Sequence, residues 1–113
     1  MNELDPVIHQ PARLQIMSAL CQLGERARVD FSYLKDHLGL TDGNLSRHMQ
    51  VLQEAGLIDV AKSFENSRPQ TTVHLTAEGH KRYVEYLTVL EQVVRDAATA
   101  VKEGRTRVPN VKQ

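Results

Sequence analysis

The stretch from residue 41 to residue 56 constrains the fold of this chain more than any other part of it. Thr41 is a good helix N-cap, and Gly56 is a residue type at which helices end. Between them, apolar residues recur at spacings of four, three and three, at Leu45, Met49, Leu52 and Ala55. This spacing places the apolar side chains on one side and predicts an amphipathic helix over about residues 42–55.

A β-hairpin is predicted directly after that helix. Residues 57–63 and 70–75 are two β-prone runs, and the six residues between them include Asn, Ser and Pro, which favour turns. We therefore expect a loop over residues 64–69 at the tip of the hairpin.

Two more helices are predicted before this unit. Pro11 marks a helix start, and residues 13–23 carry their polar side chains along one narrow stripe, which predicts a helix buried on most sides. Gly24 ends it, and the run 29–31 is too short for more than a bridging strand. Residues 33–38 predict a short second helix. The order of elements predicts a mainly α fold in which three helices carry one small β-hairpin.

A long helix is predicted after the hairpin, from an N-cap at Thr76 to about Lys102, with Glu78 near the positive end of the helix dipole. Its apolar residues step by four and three, the spacing of a coiled-coil seam, at Tyr83, Leu87, Leu90, Val94, Ala97 and Val101. A helix this long should extend beyond the core of so small a domain. We therefore predict that these six residues form a homodimer interface, with the first helix as a secondary contact. The alternative is a helix that folds back on its own core.

The composition indicates one small domain and restricts its partners. The 113 residues fit a single domain, with an N-terminal unit over 1–76, a dimerisation helix over 77–104 and a flexible basic tail over 105–113. The formal net charge is zero, so any nucleic-acid surface must be a local arrangement. The single cysteine, Cys21, and the lack of a leader or an apolar membrane segment predict a cytoplasmic protein without membrane contact.

No sequence pattern typical of an enzyme is present. The chain has no glycine-rich phosphate loop, paired catalytic carboxylates or nucleophile elbow, and its five histidines lack metal-ligand spacing. One cysteine argues against sensing of soft metals. Phe64 is the only aromatic residue in the predicted helix at 42–55 and the hairpin after it, and one ring cannot form the stacking surface that single-stranded nucleic acids need. We expect neither catalysis nor a cofactor.

The outer side of the predicted helix at 42–55 carries side chains that suit double-stranded DNA. Arg pairs with guanine, Asn and Gln pair with adenine, and hydroxyl groups contact phosphate or bases. The predicted DNA-binding residues of this helix are Thr41, Asn44, Ser46, Arg47, His48 and Gln50. In the hairpin we predict Lys62 at phosphate and Arg68 at the minor groove. The alternative is an ordinary solvated surface, which any amphipathic helix shows.

Residues 45–58, LSRHMQVLQEAGLI, resemble the recognition-helix region of winged-helix regulators of the ArsR and MarR type. Three further segments resemble a compact subgroup of uncharacterised winged-helix regulators: LDPVIH at 4–9 with Arg13 and Leu14, TDGN at 41–44, and LTAEG at 75–79. The resemblance implies a winged helix-turn-helix fold and a homodimeric, repressor-like protein. It also implies a third helix in the major groove and a wing near the minor groove. It implies no particular ligand.

Three functions remain open from the sequence. The leading hypothesis is a sequence-specific regulator that binds double-stranded DNA as a homodimer. The second is a winged-helix module that binds a protein partner, because the net charge is zero. The third is a sensor of a metal or of an unknown small-molecule effector on the same fold.

Overall fold

The computed structural model describes residues 3–24 and 26–104. These residues contain four helices and three strands. In chain order they are α1 (Pro11–Leu23), β1 (Val29–Asp30), α2 (Phe31–Leu38), α3 (Asp42–Glu54), β2 (Ile58–Glu65), β3 (Arg68–Leu75) and α4 (Ala77–Lys102). The predicted fold class, mainly α with a β-hairpin and a long C-terminal helix, is confirmed. The predicted tail at 105–113 lies outside the described residues.

Local hydrogen bonds explain where the helices begin. The side chain of Gln10 accepts from the Arg13 N–H before α1, and Thr41 accepts from the Asn44 N–H before α3. The Thr76 hydroxyl accepts from the Gly79 N–H at 2.9 Å and donates to the Gly56 carbonyl at 2.7 Å. This one side chain therefore caps α4 and ties its start to the end of α3.

The sheet is antiparallel with strand order β1-β3-β2, and β2 and β3 pair from Ile58 opposite Leu75 to Glu65 opposite Arg68. The predicted six-residue loop at the tip is wrong. The turn is only the two residues Asn66 and Ser67, with φ of 51° and 65°. A two-residue hairpin turn of type I′ needs positive φ at both positions, which Asn adopts readily, so the strands continue to the tip.

The hairpin has two faces because strand side chains alternate. One face, which we call the inner face, consists of four facing pairs: Ile58–Leu75, Val60–Val73, Lys62–Thr71 and Phe64–Pro69. The outer face carries the alternate pairs, Asp59–His74, Ala61–Thr72, Ser63–Gln70 and Glu65–Arg68. Near α4 the inner face is buried in the core, the pair Lys62–Thr71 lies beside α3, and the pair Phe64–Pro69 at the tip is exposed.

One hydrophobic core joins all the helices to the sheet. The helix α1 contributes Ile16, Met17 and Leu20, α2 contributes Leu34, and the inner side of α3 contributes Leu45, Met49 and Leu52. The apolar spacing that predicted α3 therefore corresponds to its buried side. No helix in residues 3–24 and 26–104 is both long enough and apolar enough to cross a membrane.

The first half of α4 packs on this core. A Cβ at Gly79 would lie 1.9 Å from the Leu57 carbonyl oxygen, so only glycine allows this close approach. Tyr83 and Tyr86 are also buried. The prediction that Tyr83 belongs to a dimer interface is therefore wrong, since its side chain is 5% exposed inside its own domain. The four-and-three spacing fits a helix on its own core as well as it fits a helix pair.

The N-terminal segment, by which we mean residues 3–10, joins α4 to the rest of the domain. Arg82 donates from Nη2 and Nε to Asp5 Oδ2, at 2.7 and 3.0 Å. His9 Nδ1 and the Tyr86 hydroxyl share a hydrogen bond of 2.8 Å. Ile8, between these two contacts, is fully buried. The segment before α1 is thus part of the folded domain.

Candidate nucleic-acid interface

The exposed side of α3 carries most of the predicted DNA-binding residues. The side chains that share this exposure are Thr41, Asn44, Ser46, Arg47 and Gln50. The opposite side of the helix is buried, which fixes the direction of these groups. The helix therefore presents a polar row of the residue types that contact base edges and phosphates.

Hydrogen bonds within α3 hold two of these side chains in place. Arg47 Nη2 donates to Asn44 Oδ1 at 3.0 Å, and Gln50 Nε2 donates to Glu54 Oε2 at 3.2 Å. Both bonds join exposed groups one turn apart, so base edges or phosphates can replace them at small cost. Arg47 and Asn44 thus lie side by side before any partner binds.

His48 occupies a different position from the other predicted residues. It is half-buried, and its Nδ1 lies 3.3 Å from Nη1 of Arg13 on α1. Burial, followed by the charges of Arg13 and Arg47, lowers the pKa of His48, which favours the neutral ring. Arg13 also donates from Nε to the Val7 carbonyl. His48 therefore joins α3 to α1 and the N-terminal segment, and it is turned away from the exposed row.

One exposed acidic residue, Asp42, lies in the first turn of α3. Asp42 Oδ1 is 3.0 Å from Nζ of Lys35 on α2. The hydrogen bond and the charge of Asp42 raise the pKa of Lys35. The pair is exposed to solvent, so it adds little stability, but it offsets the negative charge at this end of the helix.

A groove of about 400 Å³ runs between α3 and the inner face of the hairpin. Its walls are formed by Phe31, Asp42, Ser46, Met49, Gln50, Gln53, Val60, Lys62 and Thr71. The structure therefore brings Lys62 to the same groove as Ser46 and Gln50.

Arg68 is not on that groove. It faces Glu65 on the outer face of the hairpin, beside a second hollow of about 450 Å³ against the start of α2. Lys62 and Arg68 thus lie on opposite faces. The sequence did not separate them, because the expected six-residue loop left the register of the last pairs undefined.

Phe64 received no role from the sequence, and the structure gives it an unusual position. Its side chain is 77% exposed at the end of the inner face, opposite Pro69. The alternation along β2 from Val60 through Lys62 could have placed it on this face. Its exposure depends on the two-residue turn, which the sequence analysis missed.

Five of the six predicted dimer residues lie between Leu87 and the end of α4, beyond the buried Tyr83. Leu87, Val94, Ala97 and Val101 are exposed, and Leu90 is half-buried against the core. A hollow of about 590 Å³ crosses this surface, lined by Val84, Leu87, Thr88, Leu90, Glu91, Val94 and Arg95. A continuous apolar strip is therefore exposed in the single chain.

Within residues 3–24 and 26–104, no group of three His, Cys, Asp or Glu side chains could hold a metal ion.

Sequence comparison decides the family. The pattern of the winged helix DNA-binding domain matches residues 12–94, which include all but the first residue of α1, the hairpin and most of α4. The chain belongs to the winged helix DNA-binding domain family. In the terms of that family, α3 is the recognition helix and the β2–β3 hairpin is the wing. The predicted winged-helix transcriptional regulator is thereby confirmed, and the chain is a DNA-binding regulator.

The chain is also similar to individual proteins and solved structures. The chain is 33% identical to a transcriptional regulator homologue from Pyrococcus horikoshii OT3, with a TM-score of 0.73, covering 80% of this chain and 87% of that one. It is 30% identical to an uncharacterized protein of Methanocaldococcus jannaschii, over 80% of this chain and 95% of the relative. A MarR-family protein from Enterococcus faecalis V583, 21% identical over 85% of this chain and 84% of that one with a TM-score of 0.70, shares the fold.

Proposed function

We propose that this winged-helix protein reads a specific sequence in double-stranded DNA as a homodimer, with α3 in the major groove and the wing at the minor groove. The observation that carries the proposal is the exposed row on α3, where Asn44, Arg47 and Gln50 stand opposite a fully buried apolar side. Lys62 adds a positive charge across the adjacent groove. In helix-turn-helix proteins, such a row contacts base edges.

Two copies would compensate for the neutral charge of one domain. A single domain with zero net charge makes few phosphate contacts, while two linked domains gain affinity through effective concentration. The exposed apolar strip of α4 supplies the surface for that link. The two recognition helices would then meet half-sites about 34–36 Å apart, or a multiple of that helical turn.

Selection of bound duplexes from a random pool tests the proposal. We expect one enriched, roughly palindromic site. On that site, Arg47→Ala, Asn44→Ala and Gln50→Ala should each reduce discrimination against mismatched bases by about 1–3 kcal/mol, since each removes a base contact. The thermal melting of these variants should match the parent, because all three side chains are exposed.

Lys81→Ala is the matched control for Arg47→Ala. It removes one exposed positive charge from α4, outside the proposed interface, and should leave discrimination unchanged. If all three α3 variants bind the selected site like the parent, α3 is not the reader. If no duplex is enriched, the DNA proposal fails and the protein-interaction module becomes the leading hypothesis.

The two positive side chains of the wing should act through charge. Lys62→Ala and Arg68→Ala should weaken binding to many sequences alike and flatten the dependence on salt, by about 0.9 in the slope of log K against log salt for each lost phosphate contact. Their positions on opposite faces of the wing allow contacts with different phosphates. An unchanged slope would place that side chain outside the interface.

A further inference from the structure

Phe64 is the most exposed large apolar side chain in the described part of the chain, at 77%. It extends from the inner face of the wing beside Lys62, and its facing partner is Pro69. An exposed aromatic side chain gains free energy when a partner removes it from water. Within residues 3–24 and 26–104, the tip of the wing therefore carries an apolar pair that is exposed, with only Pro69 also lining the hollow against the start of α2.

The inner face changes character in steps from the core to the tip. The pair Val60–Val73 packs on the core, and the pair Lys62–Thr71 lines the groove with α3. The pair Phe64–Pro69 comes next and lies beyond that groove. A partner that fills the groove against α3 and continues outward would meet the phenyl ring directly.

The wing is held in a fixed shape for such a contact. The two-residue turn at Asn66 and Ser67 keeps the strands paired to the tip. Gln70 Nε2 also donates to Asp30 Oδ1 at 3.0 Å, which fastens β3 to β1. Phe64 therefore lies on a strand that is already ordered. Binding of a partner then costs little backbone conformational entropy in the wing.

We propose that Phe64, supported by Pro69, is the part of the wing that enters the minor groove, where the ring packs on the deoxyribose edges of double-stranded DNA. This inference rests on the proposed function. If α3 lies in the major groove as proposed, the wing, whose inner face borders α3, would cross the neighbouring backbone, and its tip would reach the next minor groove. Apolar side chains are common where proteins contact this groove. Arg68, on the outer face, contributes charge to the flanking phosphate.

Salt dependence separates an apolar contact from a charged one. Binding of the selected duplex is measured by fluorescence anisotropy from low to moderate salt. Phe64→Ala should lower the affinity about tenfold at every salt concentration, the loss expected when a phenyl ring is no longer buried, while the slope stays at the parental value. Phe64→Leu keeps an apolar group and should retain most of the affinity. Lys62→Ala should lower the slope.

Ser63→Ala is the matched control, since Ser63 precedes Phe64 but belongs to the outer face. It should bind like the parent. Hydroxyl-radical cleavage supplies a second measurement, because the radical attacks deoxyribose from the minor groove. The parent and Ser63→Ala should protect the sugars under the wing, and Phe64→Ala should leave them open to cleavage.

Three results would overturn the inference. The first is a Phe64→Ala variant with parental affinity and parental protection. The second is a Phe64→Ala variant with a lowered salt slope, which would indicate a lost phosphate contact. In both cases Arg47→Ala still loses discrimination, so the DNA proposal survives. The third is a parent that binds no duplex, which overturns both proposals together.

Discussion

The two halves of α4 differ in what covers their apolar side chains. In the proximal half, residues 77–90, Gly79, Tyr83 and Tyr86 are buried in the domain. In the distal half, residues 91–102, every side chain is exposed except the half-buried Ala100, although the apolar spacing continues. The same periodic pattern thus runs from a half that its own domain covers into a half that is exposed in the single chain. The spacing shows that a surface is apolar, but it does not show whether the same chain or another one covers it.

The contacts of the two halves differ in the same way. The proximal half is joined to the N-terminal segment by the Asp5–Arg82 ion pair and the His9–Tyr86 hydrogen bond. Burial, followed by the nearby Tyr83, raises the pKa of Tyr86, so its hydroxyl keeps its proton. In the distal half, the Glu91–Arg95 ion pair and the hydrogen bond from Gln92 to Asp96 each join two residues of the helix itself. The family match also ends at residue 94, inside this half.

The largest effect is expected in the proximal half, at Gly79. Gly79→Ala places a methyl group 1.9 Å from the Leu57 carbonyl oxygen, which belongs to the backbone and cannot turn aside. Overpacking costs about 1–3 kcal/mol at sites that can relax, so we expect a loss of about 3 kcal/mol or more here. Urea denaturation measures this loss as a lower midpoint.

Gly43→Ala is the matched control, because Gly43 is also helical and a Cβ there meets nothing within 4 Å. This variant should be as stable as the parent, or more stable by up to about 1 kcal/mol, since alanine favours the helix. Equal stability of Gly79→Ala and Gly43→Ala would show that α4 does not approach Leu57 closely.

The sequence predicted the elements well because their determinants are local. Thr41 and Thr76 cap the helices they were assigned to, and the apolar spacing of α3 corresponds to its buried side. Apart from the length of the hairpin turn, the errors concern contacts between distant parts. Tyr83 could not be assigned to the core, because what covers a helix depends on the other elements. The contact between the N-terminal segment and α4 was likewise not predicted, because Asp5 and Arg82 are far apart in sequence.

The candidate site shows the same division. The exposed row on α3 follows from the period of a helix, so Asn44, Arg47 and Gln50 could be placed from sequence. The wing was harder to place: alternation relates Phe64 to Lys62 only if β2 continues through residue 64, and the face of Arg68 depends on the register of the strands. A loop of six residues leaves Phe64 and Arg68 without a face. The observed two-residue turn puts them on opposite faces.

The second largest effect is expected in the distal half, and it concerns assembly. Val94 is 58% exposed in the single chain, so Val94→Asp should leave the folded domain intact. In the proposed dimer it would bury an unpaired charge, at a cost of several kcal/mol, and so dissociate the dimer. Light scattering at tens of micromolar should show a dimer for the parent and a monomer for the variant. Leu90 is less suitable, because it also packs on the core.

Thr99→Asp provides the control for charge alone, since Thr99 is exposed on another side of the distal half. This variant should remain a dimer. A monomeric parent, or a folded Val94→Asp protein that stays dimeric, would contradict the proposed interface and leave the distal strip without a function in self-association.

A smaller effect is expected from the hydrogen bond between the N-terminal segment and α4. Tyr86→Phe removes the hydroxyl that lies 2.8 Å from His9 Nδ1 and should cost about 1 kcal/mol in the free energy of unfolding. Tyr33→Phe is the control, because Tyr33 is exposed and its ring stacks on His37. It should be close to neutral. If both variants lose the same stability, the bond to His9 contributes nothing of its own.

The smallest effect is expected from the exposed ion pair of the distal half. Arg95 Nη2 lies 3.3 Å from Glu91 Oε2, and both side chains are about two-thirds exposed, at 68% and 65%. Such pairs one turn apart contribute about 0.3–0.5 kcal/mol, and salt screens them. We therefore expect Arg95→Ala to shift the urea midpoint only slightly at low salt and not at all in 1 M salt.

Arg82→Ala completes the comparison between the two halves. The Arg82–Asp5 pair has the same chemistry, but its distance is 2.7 Å and its side chains are only 27% and 19% exposed. Arg82 also forms two hydrogen bonds to one carboxylate oxygen, and its removal leaves Asp5 largely shielded from water. This variant should lose clearly more stability than Arg95→Ala, and the loss should persist in 1 M salt, because buried pairs are screened less. Equal, salt-sensitive losses for the two variants would mean that the proximal half is held by apolar packing alone.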